Sequence, residues 1–212
     1  MPGTVMHLAL ANLVYEGLND KSIDKTEFLS GNILPDEAEN KEKSHYRTNG
    51  SVGTYRVPHM ERVKEKLLDF NSSIKLGAYC HLYFDYHFFE DFFFKIFTFE
   101  NGFVINKRTN KRWKNEDFWS REVFYSAYGQ LNHLFINEGL ITVEEIEKIP
   151  SILPKAHMSE LDCRRKTLWK EELWDFLNNP IPYDGNILEY GKPLEALTRI
   201  ASNLIQHLKD NR

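Results

Sequence analysis

The sequence has few cysteines, no long apolar run and no excess of charge, and each lack excludes a class of protein. Its two cysteines, Cys80 and Cys163, are too few for a disulfide framework and suit a reducing compartment. No stretch of about 18 consecutive apolar residues occurs, so we expect no transmembrane segment. The 27 basic and 31 acidic residues nearly balance, with a net charge of −4, and we therefore do not expect nucleic acid as a partner.

Several familiar functional motifs are also missing. There is no glycine-rich phosphate loop and no G-x-S-x-G nucleophile elbow. The first residues, MPGTVMHLAL, lack a basic region and carry His7 inside the apolar stretch, which is not typical of a signal peptide. These features favour a soluble protein, and we expect a cytoplasmic location.

The apolar residues recur mostly at helical spacing, which predicts a single all-α domain over residues 1–212. The predicted helices cover residues 4–18, 59–70, 73–98, 115–138, 159–178 and 193–209, with a helical turn at 24–29. The stretch from Asn32 to Val57 contains a proline, two glycines and few apolar residues, so we interpret it as a long loop. An Asn-Gly pair between β-forming residues adds a small hairpin around 97–106. The expected architecture is a helical bundle.

One aromatic stretch, HLYFDYHFFED at residues 81–91, carries charged groups where a buried core is expected. His81 and Asp85 are four residues apart and therefore share one helix face, about 6 Å from each other. An imidazole and a carboxylate at this spacing suit a divalent transition metal. They are equally an ordinary hydrogen-bonded pair, and spacing alone favours that second interpretation.

Three other residues have the right chemistry but also simple structural explanations. His7 lies among apolar residues of the first helix, where a buried histidine satisfied by hydrogen bonds is common. Asp36 follows Pro35 and suits a turn or cap, and His45 suits a surface loop. Taken singly, none of the three predicts a metal site.

The order of four motifs resembles the zinc-dependent phospholipase C family, whose helical fold is shared with single-strand-specific nucleases. The matching segments are MHLALA, then GNILPD at residues 31–36, then KSHY with His45, then LGAYCHLYFD at residues 76–85. In that family an N-terminal helix supplies a histidine, a G-[DN]-x-x-PD segment an aspartate, a later segment a histidine, and an LGxxxHxxxD helix the last pair. The resemblance covers about the first hundred residues.

This resemblance implies a metal-dependent phosphoester hydrolase that holds one or two zinc ions. The implied ligands are His7, Asp36, His45, His81 and Asp85. Asp85 would bridge two ions, and Asp36 would also take a proton from the attacking water. The implied substrate is a small-molecule or lipid-like phosphoester.

The sequence departs from the family pattern after Asp85. The family places a further histidine and a His-x-x-x-acid pair there, for which the candidates are Asp91 or Glu90, and His133 with Asn137. An asparagine in place of an acid argues against a full three-metal cluster. We interpret His87 as a packing or rim residue, because it lies two positions beyond Asp85 and points away from it.

Two other functions stay open at this point. A non-catalytic helical binding module that keeps a structural or vestigial metal site fits the weakened second half of the motif set. A histidine–aspartate nucleotide phosphohydrolase fits less well, because the sequence has no adjacent His-Asp dipeptide.

Overall fold

The computed structural model describes residues 3–52, 55–120, 122–161, 168–179, 188 and 192–212, and most of them are helical. The helices are α1 (Thr4–Leu18), α2 (Lys25–Glu37), α3 (Lys41–Ser44), α4 (Met60–Leu67), α5 (Ser73–Phe88), α6 (Phe94–Ile96), α7 (Asn115–Phe118), α8 (Phe124–Asn137), α9 (Val143–Lys148), α10 (Leu168–Asn178) and α11 (Lys192–Asp210). The strands form two antiparallel sheets, β1 (Arg47–Asn49) with β2 (Arg56–Pro58), and β3 (Phe97–Glu100), β4 (Phe103–Asn106) and β5 (Arg112–Lys114) in that order. The predicted all-α fold with a small hairpin is confirmed.

Helix α5 lies in the middle of the bundle, as its even distribution of apolar residues predicts. Every residue from Leu76 to Asp85 is buried, and α5 packs against α1, α2, α4 and α11. A helix covered on all sides keeps water away from any polar group that it carries. His81 and Asp85 are therefore polar groups inside the core, and both are only 1% exposed.

The predicted loop from Asn32 to Val57 is wrong, because α2 continues through Pro35 to Glu37. The helix starts where expected, since the Asp24 carboxylate accepts a hydrogen bond from the Glu27 backbone N–H at 2.8 Å. A proline costs one helical hydrogen bond, but burial of residues 28–35 against α5 outweighs that cost. Helix α3 and the β1–β2 hairpin occupy much of the remaining stretch.

Two glycines let α2 and α5 approach closely. A Cβ on Gly31 would lie 2.0 Å from the carbonyl oxygen of Ile74, and a Cβ on Gly77 would lie 2.0 Å from that of Phe28. Backbone atoms cannot move aside as a flexible side chain can, so only glycine fits at these two positions. The two helices thus touch backbone to backbone just below the level of His81.

The single helix predicted over 73–98 ends earlier than expected. After Phe88 the chain makes a π-helical turn, Phe89–Phe93, then the short α6, and Phe97 already begins β3. A π turn changes the direction in which later side chains point. At the hairpin tip, Asn101 and Gly102 have φ values of 50° and 81°, as the Asn-Gly pair predicts.

The helix predicted over 115–138 is divided into α7 and α8. Phe118 and Phe124 pack together with ring centroids 5.1 Å apart. In one continuous helix, residues six apart would point about 120° away from each other, so the break allows both rings to enter the same aromatic cluster.

The C-terminal prediction is confirmed for the helix over 193–209 and for the second half of the helix over 159–178. Residues 159–178 contain a short 3₁₀ turn, Ser159–Leu161, and α10, while α11 matches the predicted 193–209 closely. Residues 162–167, with Cys163, lie outside the described residues. Within the described ranges, no helix combines the length and the apolar character needed to cross a bilayer.

Candidate metal centre

The structure brings the five predicted side chains together in one cluster. His7 comes from α1, Asp36 from the last turn of α2, and His45 from the residue after α3, while His81 and Asp85 come from α5. Asp36 and His45 were expected in a loop, but both belong to helix ends and His45 is fully buried. The interpretation of His45 as a surface residue is therefore wrong.

The Asp85 carboxylate lies between the three imidazoles. Its Oδ1 is 3.4 Å from Nε2 of His7, and its Oδ2 is 3.4 Å from Nε2 of His45 and 3.7 Å from Nε2 of His81. Two ligands of one tetrahedral zinc ion, each about 2.1 Å from the metal, lie roughly 3.4 Å apart. These separations therefore fit atoms that share a cation.

Asp36 lies close to two of the same imidazoles. Its Oδ1 is 3.6 Å from Nε2 of His45, and its Oδ2 is 4.0 Å from Nε2 of His81. Two overlapping triads of potential ligand atoms result, each within 4.8 Å, and they share His81. One triad adds His7 and Asp36, and the other adds His45 and Asp85.

Hydrogen bonds from the second ring nitrogens fix the orientation of two imidazoles. Nδ1 of His81 lies 2.7 Å from the Asn32 carbonyl oxygen, and Nδ1 of His45 lies 3.0 Å from that of Lys41. A carbonyl oxygen only accepts, so Nδ1 donates in both cases and the lone pair resides on Nε2. This is the arrangement that metal-binding histidines adopt.

The strongest sign that this cluster suits a cation is a set of buried polar atoms that have no hydrogen bond. Among the described residues, Nε2 of His7, His45 and His81 and Oδ1 of Asp85 have no hydrogen-bond partner. A buried polar atom without a partner is costly, and a carboxylate more so. The residues present thus fit divalent transition metal ions, since cations bound at the two triads would satisfy these atoms.

Electrostatics keep the ligand atoms in the form that binds metal. Burial lowers the pKa of His7 from 6.5 to about 3, and it lowers the pKa values of His45 and His81 to about 4. For Asp36, burial acts to raise the pKa, but the neighbouring His81, Lys41 and His45 outweigh it and lower the pKa below 3.8. At neutral pH the site therefore holds neutral imidazoles and an ionised Asp36.

Asp36 is also the member of the cluster that reaches solvent. Its side chain is 18% exposed, whereas those of His7, His45, His81 and Asp85 are at most 2% exposed. It lies in the wall of a cavity of about 340 Å³, together with Gly3, Thr4, Glu37, Lys41, Tyr125, Tyr128, Asn132, Trp169, Glu172, Leu173 and Phe176. The cavity thus gives access to the cluster from one side.

The other candidates from the sequence do not join this cluster. Nδ1 of His87 lies 2.5 Å from Oδ2 of Asp91, four residues further on, so these two groups pair with each other. The expected rim position of His87 agrees with its partial exposure. His133 and Asn137 are exposed on α8.

Several residues at the site were not found by sequence reasoning. Asn32 orients His81 through its backbone carbonyl, which no sequence pattern reveals. Tyr125 and Asn132 on α8 and Trp169 on α10 line the cavity, but they lie far along the chain from the four motifs. The N-terminal motifs end at Asp85, so only the packing of α8 and α10 could identify these residues.

The fold and the site together define a mostly helical protein with a buried cluster of three imidazoles and two carboxylates suited to a transition metal. Comparison with known families agrees with that description. The chain belongs to the zinc-dependent phospholipase C family, whose model matches residues 6–138. The match contains all five clustered residues and extends beyond the first hundred residues, to the end of α8. No curated protein and no solved structure matches the chain significantly.

Family membership supports a metal-dependent, phospholipase-like function and indicates zinc as the metal. It also supports a phospholipid-like substrate.

Proposed function

We propose that this protein is a zinc-dependent phosphoester hydrolase of the phospholipase C type, in which His7, Asp36, His45, His81 and Asp85 bind one or two zinc ions. One observation carries the proposal: four buried ligand atoms from three segments converge without any hydrogen-bond partner among the described residues. A cluster made only for stability would be expected to pair these atoms with one another or with backbone groups.

The three histidines would act as neutral nitrogen donors, and Asp85 as the central anionic ligand. Its two oxygens face different imidazoles, His7 on one side and His45 with His81 on the other. With this divided arrangement, Asp85 would help to hold a cation beside either set of imidazoles. When bound, zinc supplies Lewis-acid activation of water and of the phosphoester.

Asp36 would serve both as a ligand and as the acceptor of the proton released by the attacking water. It is ionised at neutral pH and lies where the cluster meets the cavity, so it has access to a water molecule as well as to the imidazoles. Lys41 Nζ lies 3.2 Å from Asp36 Oδ1 and lines the same cavity. Its positive charge would attract the anionic oxygens of a phosphoester toward Asp36.

The cavity supports a catalytic function over a purely structural metal site. Its volume of about 340 Å³ falls within the range of small-ligand sites, at roughly 300–1,000 Å³. Structural zinc sites are closed by protein ligands, while catalytic sites keep one position accessible. The exposure of Asp36 provides that access.

The proposal is tested by measuring bound metal and hydrolysis in the same preparations. We expect zinc in the purified protein, anomalous scattering at the zinc edge beside His81 and Asp85, and hydrolysis of bis(p-nitrophenyl) phosphate that a chelator abolishes. Asp85→Asn keeps the side-chain shape but removes its charge, and we expect it to lose both zinc and activity. His133→Ala, which removes an exposed histidine outside the cluster, is the matched control and keeps both.

The outcomes separate the two candidate functions. If zinc binding requires Asp85 but no hydrolysis is measured, the non-catalytic binding module is favoured. Absence of bound transition metal, with equal activity in the wild type and Asp85→Asn, would refute the metal centre itself.

A further inference from the structure

Positive charge is concentrated in one exposed hairpin that the proposed hydrolytic chemistry does not use. Residues 101–115 contain five of the 27 lysines and arginines and none of the 31 aspartates and glutamates. This segment holds β4, β5 and the turn that joins them, and the turn residues 107–110 are all exposed. The whole chain has a net charge of −4, so the positive charge is a local property of the hairpin.

The register of β4 and β5 places an aromatic ring and two cations on the same face of the hairpin. Phe103 lies opposite Lys114, and Ile105 lies opposite Arg112. Paired residues of an antiparallel sheet point to the same face, and so do residues two apart in a strand. Phe103, Arg112 and Lys114 are therefore neighbours, and all three are exposed. At 38% exposure, Phe103 is the only aromatic ring among the exposed large apolar residues of the described ranges.

The opposite face attaches the hairpin to the core. Val104 is fully buried, and the ring of Trp113 lies 5.4 Å from that of Phe118 between centroids. Oδ1 of Asn106 accepts hydrogen bonds from two backbone N–H groups of the turn, each at 3.0 Å. The exposed face is thus presented on a folded support.

The cations of the exposed face have no acidic partner in the part of the chain that the structure describes. No carboxylate forms an ion pair within 4.0 Å of Lys111, Arg112 or Lys114. Nζ of Lys111 lies 5.1 Å from the centre of the Trp113 ring, beside the strand that carries the other two cations. Cations that no carboxylate neutralises attract an anionic surface, and the attraction adds up over neighbouring lysines and arginines.

The hairpin lies beside the segment that supplies one of the proposed metal ligands. Phe103 lines a cavity of about 530 Å³ together with Arg47 and Arg56 of the β1–β2 hairpin. Arg47 follows His45 by two residues. A surface that contacts Phe103 would therefore meet the protein close to the segment that holds His45.

We propose that Phe103, Lys111, Arg112 and Lys114 form a docking face that binds the protein to an anionic phospholipid surface. This inference rests on the proposed function, since a phospholipase-like enzyme meets its substrate at such a surface. The cations bind headgroup phosphates, and the phenyl ring enters the boundary between headgroups and acyl chains. Single-stranded nucleic acid also suits cations beside an aromatic ring, but the family supports a phospholipid-like substrate.

The test measures co-sedimentation with vesicles of phosphatidylcholine alone and with vesicles that contain roughly 30% phosphatidylserine. The full-length, zinc-loaded Asp36→Asn protein is used, because its hydrolysis should be about 100-fold slower and the vesicles then stay intact. We expect at least about tenfold tighter binding to the anionic vesicles at low ionic strength, and loss of this preference at about 0.5 M salt.

Two variants and one control assign the preference to the docking face. A triple variant with Lys111→Gln, Arg112→Gln and Lys114→Gln should bind both kinds of vesicle about equally, and Phe103→Ser should weaken binding to the anionic vesicles several-fold. The matched control removes the same charge from exposed lysines outside the hairpin, with Lys21→Gln, Lys66→Gln and Lys209→Gln. It should keep the preference.

Three outcomes would overturn the docking face. These are equal binding of the unsubstituted protein to both vesicles, an undiminished preference in the triple variant, and equal losses in the triple variant and the control. A single-stranded oligonucleotide that binds more tightly than the anionic vesicles, and loses its binding in the triple variant, would instead assign the hairpin to nucleic acid.

Hydrolysis of bis(p-nitrophenyl) phosphate by the wild type reports the proposed function alone, because this substrate is soluble and forms no surface. Hydrolysis without a preference for anionic vesicles would refute the docking face and leave the function intact. Preference for anionic vesicles without hydrolysis would retain the docking face in a lipid-binding protein.

Discussion

Replacement of Gly77 by alanine should separate α2 from α5 and weaken the metal centre without altering any ligand. The new Cβ would lie 2.0 Å from the Phe28 carbonyl oxygen and 2.9 Å from the Asn32 backbone nitrogen. A methyl carbon and an oxygen need about 3.2 Å or more, so the helices must move apart by roughly 1 Å. Such a shift would break the 2.7 Å hydrogen bond between the Asn32 carbonyl and His81.

The expected losses follow from these two effects. Overpacking against a backbone that cannot yield costs about 1–3 kcal/mol of unfolding free energy. Loss of the hydrogen bond that orients His81 should lower zinc affinity about 10- to 100-fold. Urea unfolding of the metal-free protein measures the loss of unfolding free energy, and competition with a chromogenic zinc chelator measures the loss of zinc affinity.

Gly17→Ala is the matched control, because Gly17 is also a helical glycine in close contact with a neighbouring helix. Its Cβ would meet the end of the flexible Ile205 side chain at 2.4 Å, which can rotate away. We expect it to change stability by less than about 1 kcal/mol and to leave zinc affinity unaltered. Wild-type stability and zinc affinity in Gly77→Ala would refute the argument that backbone contact positions His81.

Three further predictions concern charge and metal. Asp36→Asn should reduce hydrolysis by about 100-fold or more while zinc stays bound, because the other four ligands remain but the proton acceptor is lost. Steady-state kinetics would measure the activity and metal analysis the bound zinc, and unchanged activity would exclude Asp36 as the acceptor. The metal-free protein should lose about 4 kcal/mol of stability between about pH 7 and pH 5.5. The three buried histidines have pKa values of about 3 to 4 in the folded state and 6.5 in the unfolded chain, so the unfolded chain binds more protons in this range. The stability is therefore fully present only well above pH 6.5 and falls as the pH falls, and chemical denaturation that shows no decline would contradict the burial of neutral imidazoles. Removal of zinc by a chelator should lower the melting temperature by several degrees, and added zinc should restore it, because a ligand that binds the folded state stabilises it. If the melting temperature of Asp85→Asn falls by the same amount on chelation, zinc binds elsewhere.

The sequence alone determined the composition of the core helix and the identity of the clustered residues. The apolar density of 73–98 predicted a buried helix, of which 73–88 form α5, and the spacing of His81 and Asp85 placed both on one face. The order of four short motifs pointed to His7, Asp36 and His45. Their role as zinc ligands stays a prediction, while their convergence is a property of the structure.

Other features depended on contacts between segments distant in the chain. Pro35 made a loop plausible, but α2 continues past it because its buried face packs on α5. Asp91 follows Asp85 closely in sequence, yet it pairs with His87 beside the π-helical turn.

The spacing of residues along the chain predicts which side chains share a helix face, because the helix repeat is fixed by backbone geometry. This spacing does not predict which helix faces pack against each other, because their packing depends on how all the elements fill the core together. The motif residues could therefore be identified from the sequence. Tertiary structure alone brought Asn132 and Trp169 to the wall of the cavity beside Asp36.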